Sequence, residues 1–182
     1  MKEKRVKKIL KASYLNQKEA SHKLENLGYK YDPELSSNEN KVFVDRKGNP
    51  NIAFRGTKTG KDVVSDVLLG LGLDKYDTRF KEAKHLTKLV EDKYEKPVNV
   101  FGSSLGGSIA EKAGGNGSIY THNKGVGIGD LFKSIPNNQT DYRNKNDVVS
   151  LGALTQSHSN NNLKNIETGN KVLDVFGNHK IL

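Results

Sequence analysis

A glycine on either side of a serine, set between a short apolar run and a helical segment, leaves a chain few ways to fold. Here Val98-Asn99-Val100-Phe101 leads into Gly102-Ser103-Ser104-Leu105-Gly106-Gly107. Pro97 closes the segment before it, and the β-branched and aromatic residues of the run predict a short buried strand. After the glycines the pattern predicts a helix through about Ala113. The letters fit G-x-S-x-G, and the constraint behind them is steric. The strand must turn into a helix within a few residues, with the serine in a strained conformation that exposes its hydroxyl. Side chains at the flanking positions would collide with the neighbouring strand and helix. The start of the helix also favours negative charge beside the serine. An unreactive Gly/Ser-rich turn can carry the same letters, so the surrounding sequence has to decide its meaning.

The rest of the chain supplies a frame for that turn. Its 182 residues predict a single domain, in which 1–28 form a basic helical segment packed on a body of 29–182. Residues 3–27 read as helix in two pieces, with Val6, Ile9, Leu10 and Ser13 on one face and Gly28 as the stop. Asp32, Pro33 and Ser36 to Asn40 read as loop. Lys41 to Arg46 and Asn51 to Arg55 read as a hairpin across Lys47-Gly48-Asn49-Pro50. Asp62 to Leu73 reads as a short helix, and Thr78 to Glu95 as a longer one with a stripe of Phe80, Ala83, Leu86, Leu89, Val90 and Tyr94. Strands are expected at Gly117 to His122 and near Gln139 to Arg143. Leu163 to Ile166 and Lys171 to Phe176 suggest a second hairpin. Strand and helix alternate through the middle, which predicts an α/β fold with a mostly parallel central sheet and antiparallel additions at the edges.

A second motif gives the turn its context. Ile52-Ala53-Phe54-Arg55-Gly56-Thr57 ends a predicted strand about 50 residues before Ser104. An apolar strand ending in R-G-T, then a segment with an aspartate (Asp62 or Asp66), a helix, a strand and G-S-S-L-G-G resembles the class 3, fungal-type lipases of the α/β-hydrolase fold. The resemblance extends over Lys41 to Ser150, and its small members are of virus type. It departs at Ser103, where the family usually has histidine. That neighbour supports the turn and does not perform the chemistry.

The resemblance implies a compact α/β-hydrolase-like fold with its nucleophile elbow at Gly102–Gly106 and Ser104 as nucleophile. It implies an oxyanion hole from Thr57 and from the N–H of Leu105. The order serine, acid, histidine points to Asp147, which follows a predicted strand in Asn144-Lys145-Asn146-Asp147-Val148-Val149-Ser150. Asp141 and Asp130 are the weaker candidates. Of the five histidines, His22 and His85 lie on helices ahead of the serine, and His122 comes too early. The base is His179, after the last predicted strand, or alternatively His158 in the Asn-rich loop.

The activity this implies is cleavage of a carboxylic ester of a lipid, an acylglycerol or a phospholipid, through an acyl-serine intermediate. The rival is a catalytically degenerate relative that serves as an interaction or structural module. The resemblance also gives Val63 to Leu73 two readings: a lid over the site, or a short amphipathic helix packed on the sheet.

Other chemistry fails on its residues. With no cysteine there is no disulfide framework, no cysteine nucleophile and no thiolate metal site. Gly56 to Asp62 has the wrong spacing for a phosphate loop, and no zincin or EF-hand pattern occurs, so neither metal nor cofactor is expected. The net charge is +9, but Lys2, Lys4, Arg5, Lys7, Lys8 and Lys11 stand against Glu3 alone in the first 11 residues, so +5 of it sits there. With only five arginines, specific nucleic-acid binding is not expected. The basic segment suits peripheral contact with an anionic membrane surface. Val63 to Leu73 is too short to span a bilayer, and no apolar run follows the basic start. A cytoplasmic or virion-associated protein is the expectation.

Overall fold

The computed structural model describes residues 1–56, 77–145, 147, 150–158 and 162–166. Among them, seven strands form one sheet whose spatial order follows chain order: β1 (Lys30–Asp32), β2 (Asn40–Val44), β3 (Pro50–Phe54), β4 (Asn99–Ser103), β5 (Ile119–His122), β6 (Gln139–Asn144) and β7 (Leu163–Ile166). The first three pair antiparallel, and β3 through β7 pair parallel. This is the mostly parallel α/β architecture that the alternation of elements predicts, and it is consistent with an α/β-hydrolase-like fold.

Chain order in the sheet decides where the helices go. Parallel crossovers are right-handed, so successive crossovers in one direction place their helices on the same face. The helices α3 (Asp77–Tyr94) and α4 (Leu105–Ala113) share one face, where Ala83, Val90, Ile109 and Ala110 pack on Val42, Ile52, Phe54, Val100 and Ile119. Among the described residues, the start of the chain covers the opposite face. There α1 (Glu3–Ser13) and α2 (Gln17–Glu25) bring Val6, Ile9, Leu10, Ala20 and Leu24 against Phe43, Ala53 and Phe101. Strand residues alternate between these two cores with period two, as a pleated strand requires: Val42 against Phe43, Ile52 against Ala53, Val100 against Phe101. Each large apolar side chain so buried contributes about 1.5–3 kcal/mol. A capping box between Asn16 and Glu19 starts α2, and Gly28, at φ 82°, follows its end.

Two expectations change. Asp32, read as loop, ends the strand Lys30–Asp32: three residues ahead of Pro33 are too few to show a period. Among the described residues the antiparallel pairs lie at one edge, and Leu163–Ile166 extends the parallel set against β6; its expected hairpin partner, Lys171 to Phe176, lies outside the described residues. Leu89, placed on the buried stripe of α3, is 41% exposed, while Thr87 is buried instead and returns its hydroxyl to the Ala83 carbonyl. Among the described residues no helix is long and apolar enough to cross a membrane.

Candidate active site

The parallel strands β3 to β7 all end at one rim, where ligands of open α/β sheets bind. Ser104 stands at the end of β4, and its backbone sits at φ 55°, ψ −125°. Such a conformation costs an L-residue on the order of 1–3 kcal/mol and persists only when the surroundings hold it. They hold it from three sides. The Ser104 N–H donates to the His122 carbonyl at 3.1 Å, and the Ser104 carbonyl accepts from Gly107 N–H at 2.9 Å and Gly125 N–H at 3.3 Å. The glycines are there because backbone passes backbone. A Cβ on Gly102 would lie 2.6 Å from the Gly107 nitrogen and closer still to the Gly106 carbonyl, and one on Gly106 would meet the Phe54 carbonyl oxygen at 2.5 Å. Ser104 is only 4% exposed, less open than a strained turn predicts.

The N–H of Leu105 is the first of α4 and has no acceptor within the helix by construction. Those of Gly107 and Ser108 are already taken up by the Ser104 carbonyl. Leu105 therefore carries a donor at the start of α4, directly after the serine.

Asp147 stands on the same rim, in the turn after β6 and two strands from Ser104, about 10 Å in strand spacing. Its side chain is wholly buried and its Oδ2 accepts the Ser150 N–H at 3.0 Å. Arg143, the penultimate residue of β6, builds this turn: its guanidinium donates to the carbonyls of Lys145, Asp147 and Ser150. Burial lowers the Arg143 pKa, and the nearby Asp147 charge opposes that shift. Asn123, at φ 47° after β5, accepts the Asn144 N–H at 2.8 Å and ties the two rim turns together. Neither Arg143 nor Asn123 stood out in the sequence, since their value lies in contacts that only strand pairing creates.

The other candidates are engaged elsewhere. His158 presents Nε2 to Asp141 Oδ2 at 3.0 Å and Nδ1 to the Gln156 carbonyl at 2.8 Å. Both ring nitrogens thus face acceptors other than Ser104. Asp141 lies under α4 in a buried cluster with Thr121, Lys124 and Gln139, and Lys124 in turn reaches Glu111. Asp130 is held by Lys112 and Lys133. His22 and His85 are exposed on their helices. Thr57, His179 and Val63 to Leu73 lie outside the described residues. Among the described residues no group of histidines and carboxylates is arranged to hold a metal ion.

The Asp141 cluster sets an acid limit on the fold. Burial alone would raise the Asp141 pKa, but the bonds from His158, Lys124 and Thr121 outweigh it and hold the carboxyl down at about 2 against an ordinary 3.8. A lowered carboxylate stabilises the fold above its unfolded value and loses that contribution as pH falls toward the folded one. Roughly 2 kcal/mol of stability should therefore vanish between about pH 4 and pH 2. Urea titrations of the wild type and Asp141→Asn across that window check this. Asp32, Asp45 and Asp130 are lowered too, so the wild type should show the steeper loss, and equal slopes would remove Asp141 from the account.

No protein-family model matches the chain, and no curated protein matches it in sequence. Among solved structures, the crystal structure of the MDLA N225Q mutant from Penicillium cyclopium is similar, with a TM-score of 0.54 over 91% of this chain and 77% of that one. At 17% identity the likeness speaks for the fold alone.

Proposed function

We propose that the chain is a serine ester hydrolase of lipase type, cleaving a carboxylic ester of an acylglycerol or phospholipid. The observation that carries this is the backbone of Ser104, a non-glycine residue held at φ 55° between a buried parallel strand and a helix start. Ser104 attacks the ester carbonyl through Oγ while His179 takes its proton, and the Leu105 and Thr57 donors hold the resulting oxyanion. Collapse of the tetrahedral intermediate passes that proton to the leaving alcohol. Water, activated by the same histidine, then attacks the acyl-serine and releases the acid. Asp147 orients the imidazole and stabilises its positive form. The commitment of both nitrogens of His158 to Asp141 and Gln156 favours His179 as the base.

The exposed lysines Lys4, Lys8 and Lys11 share a face of α1 and support peripheral contact with anionic lipid. The test is reaction with a fluorophosphonate probe, with the modified peptide mapped, alongside hydrolysis of p-nitrophenyl esters of short and long chains. Modification at Ser104 and ester turnover are expected, and the chain-length profile separates lipase from esterase. An unlabelled, inactive wild type would move the reading to a degenerate fold kept for interaction.

A further inference from the structure

The elbow lacks the histidine expected before the nucleophile, and a distant side chain stands beside its replacement. Tyr14, the residue that ends α1, reaches across the end of β3 to the turn after β4. Its hydroxyl accepts the Gly56 N–H at 3.2 Å and lies beside the Ser103 side chain. The fit is close enough to require glycine at 56: a Cβ there would lie 2.8 Å from the Tyr14 hydroxyl and 2.6 Å from the Ser103 carbonyl oxygen. Three segments thus meet at one oxygen, separated by 42 residues from Tyr14 to Gly56 and more to Ser103.

We propose that Tyr14 is a positioning residue for the ester hydrolysis proposed above, fixing the Arg55-Gly56 strand end against the elbow. The inference rests on that reading. In it, Gly56 directly precedes the oxyanion donor Thr57, and Ser103 directly precedes the nucleophile. The spacing between the two donors of an oxyanion hole has to be held to a fraction of an ångström, since a misplacement of about 1 Å can cost about 100-fold in rate. The anchoring of α1 does not depend on this hydroxyl, because Val6, Ile9, Leu10 and Ala12 are already fully buried against the sheet. Tyr14 bonds the end of the basic helix to Gly56, whose Cβ position lies against the Ser103 carbonyl of the elbow.

The experiment compares wild type, Tyr14→Phe, Ser103→Ala, the double variant and Ile9→Val. Each is followed by kcat and KM on p-nitrophenyl butyrate, by the fluorophosphonate labelling rate and by thermal midpoint. Tyr14→Phe should lower kcat and the labelling rate about 10- to 100-fold with KM within about twofold. Ser103→Ala should move in the same direction, and the double variant should be no slower than the worse single, because both act at one contact. Ile9→Val, which loosens α1 without touching that contact, should leave kcat at the wild-type value. Tyr14→Phe within twofold of wild type on an active enzyme overturns the inference while leaving the serine hydrolase intact. Equal slowing by Ile9→Val overturns it as well, by making the effect one of helix packing. A wild type that neither labels nor turns over esters removes the reaction and the positioning role together.

Discussion

Ser104→Ala should lower kcat/KM for p-nitrophenyl esters by about 10⁴- to 10⁶-fold, on the order of 5–8 kcal/mol of transition-state stabilisation. The size follows from the division of labour at the rim. In the proposed mechanism no acyl-enzyme forms without the hydroxyl, and the remaining route is direct attack by water on an ester held by the oxyanion donors. The fold should not change with it. Alanine accepts φ 55° no worse than serine does, and three bonds that hold this residue in place run through its backbone to His122, Gly107 and Gly125. The variant should therefore show the wild-type circular dichroism and thermal midpoint while losing phosphonate labelling. Equal ester turnover by both proteins would mean that Ser104 is a strained turn and nothing more. A variant that loses activity together with its midpoint would place the effect on the fold.

Elements whose cause is local were readable in the sequence. The elbow is one, because the glycines, the apolar strand before it and the helix after it are neighbours in the chain. The strand that ends in Asp147's turn is another, since Gln139–Asn144 forms and the aspartate follows it on the rim. What escaped reading is what distant pairing creates. Tyr14 is one ordinary residue at a helix end until the sheet brings Gly56 to it. Arg143 reads as a strand residue until three carbonyls of the following turn close on its guanidinium. His158 shows the same limit from the other side: its place in the sequence gives no sign of its contact with Asp141, 17 residues away. β1 was invisible for a different reason, its pairing with β2 being made by three residues whose own pattern has no period.

Gly102→Ala should destabilise the protein by more than about 4 kcal/mol, the range reserved for substitutions the native packing cannot absorb. The conformation of Gly102 is not the reason. The new methyl would be driven into the backbone of Gly106 and Gly107, the first turn of α4, and neither carbonyl nor amide can swing aside as a flexible side chain would. Relief requires α4 to lift from β4, which strips Leu105, Ile109 and Ala110 from the core they share with Val100 and Ile119. It also releases the bonds that hold Ser104 at positive φ. Stability and the strained serine should thus fail together.

Gly129→Ala is the matched control, because nothing lies within 4 Å of a Cβ there and its backbone is unstrained. That variant should stay within about 0.5 kcal/mol of wild type. Urea unfolding of the two variants checks the pair. A wild-type midpoint for Gly102→Ala would show that strand and helix have room to spare at the elbow, and the strain on Ser104 would then need another source.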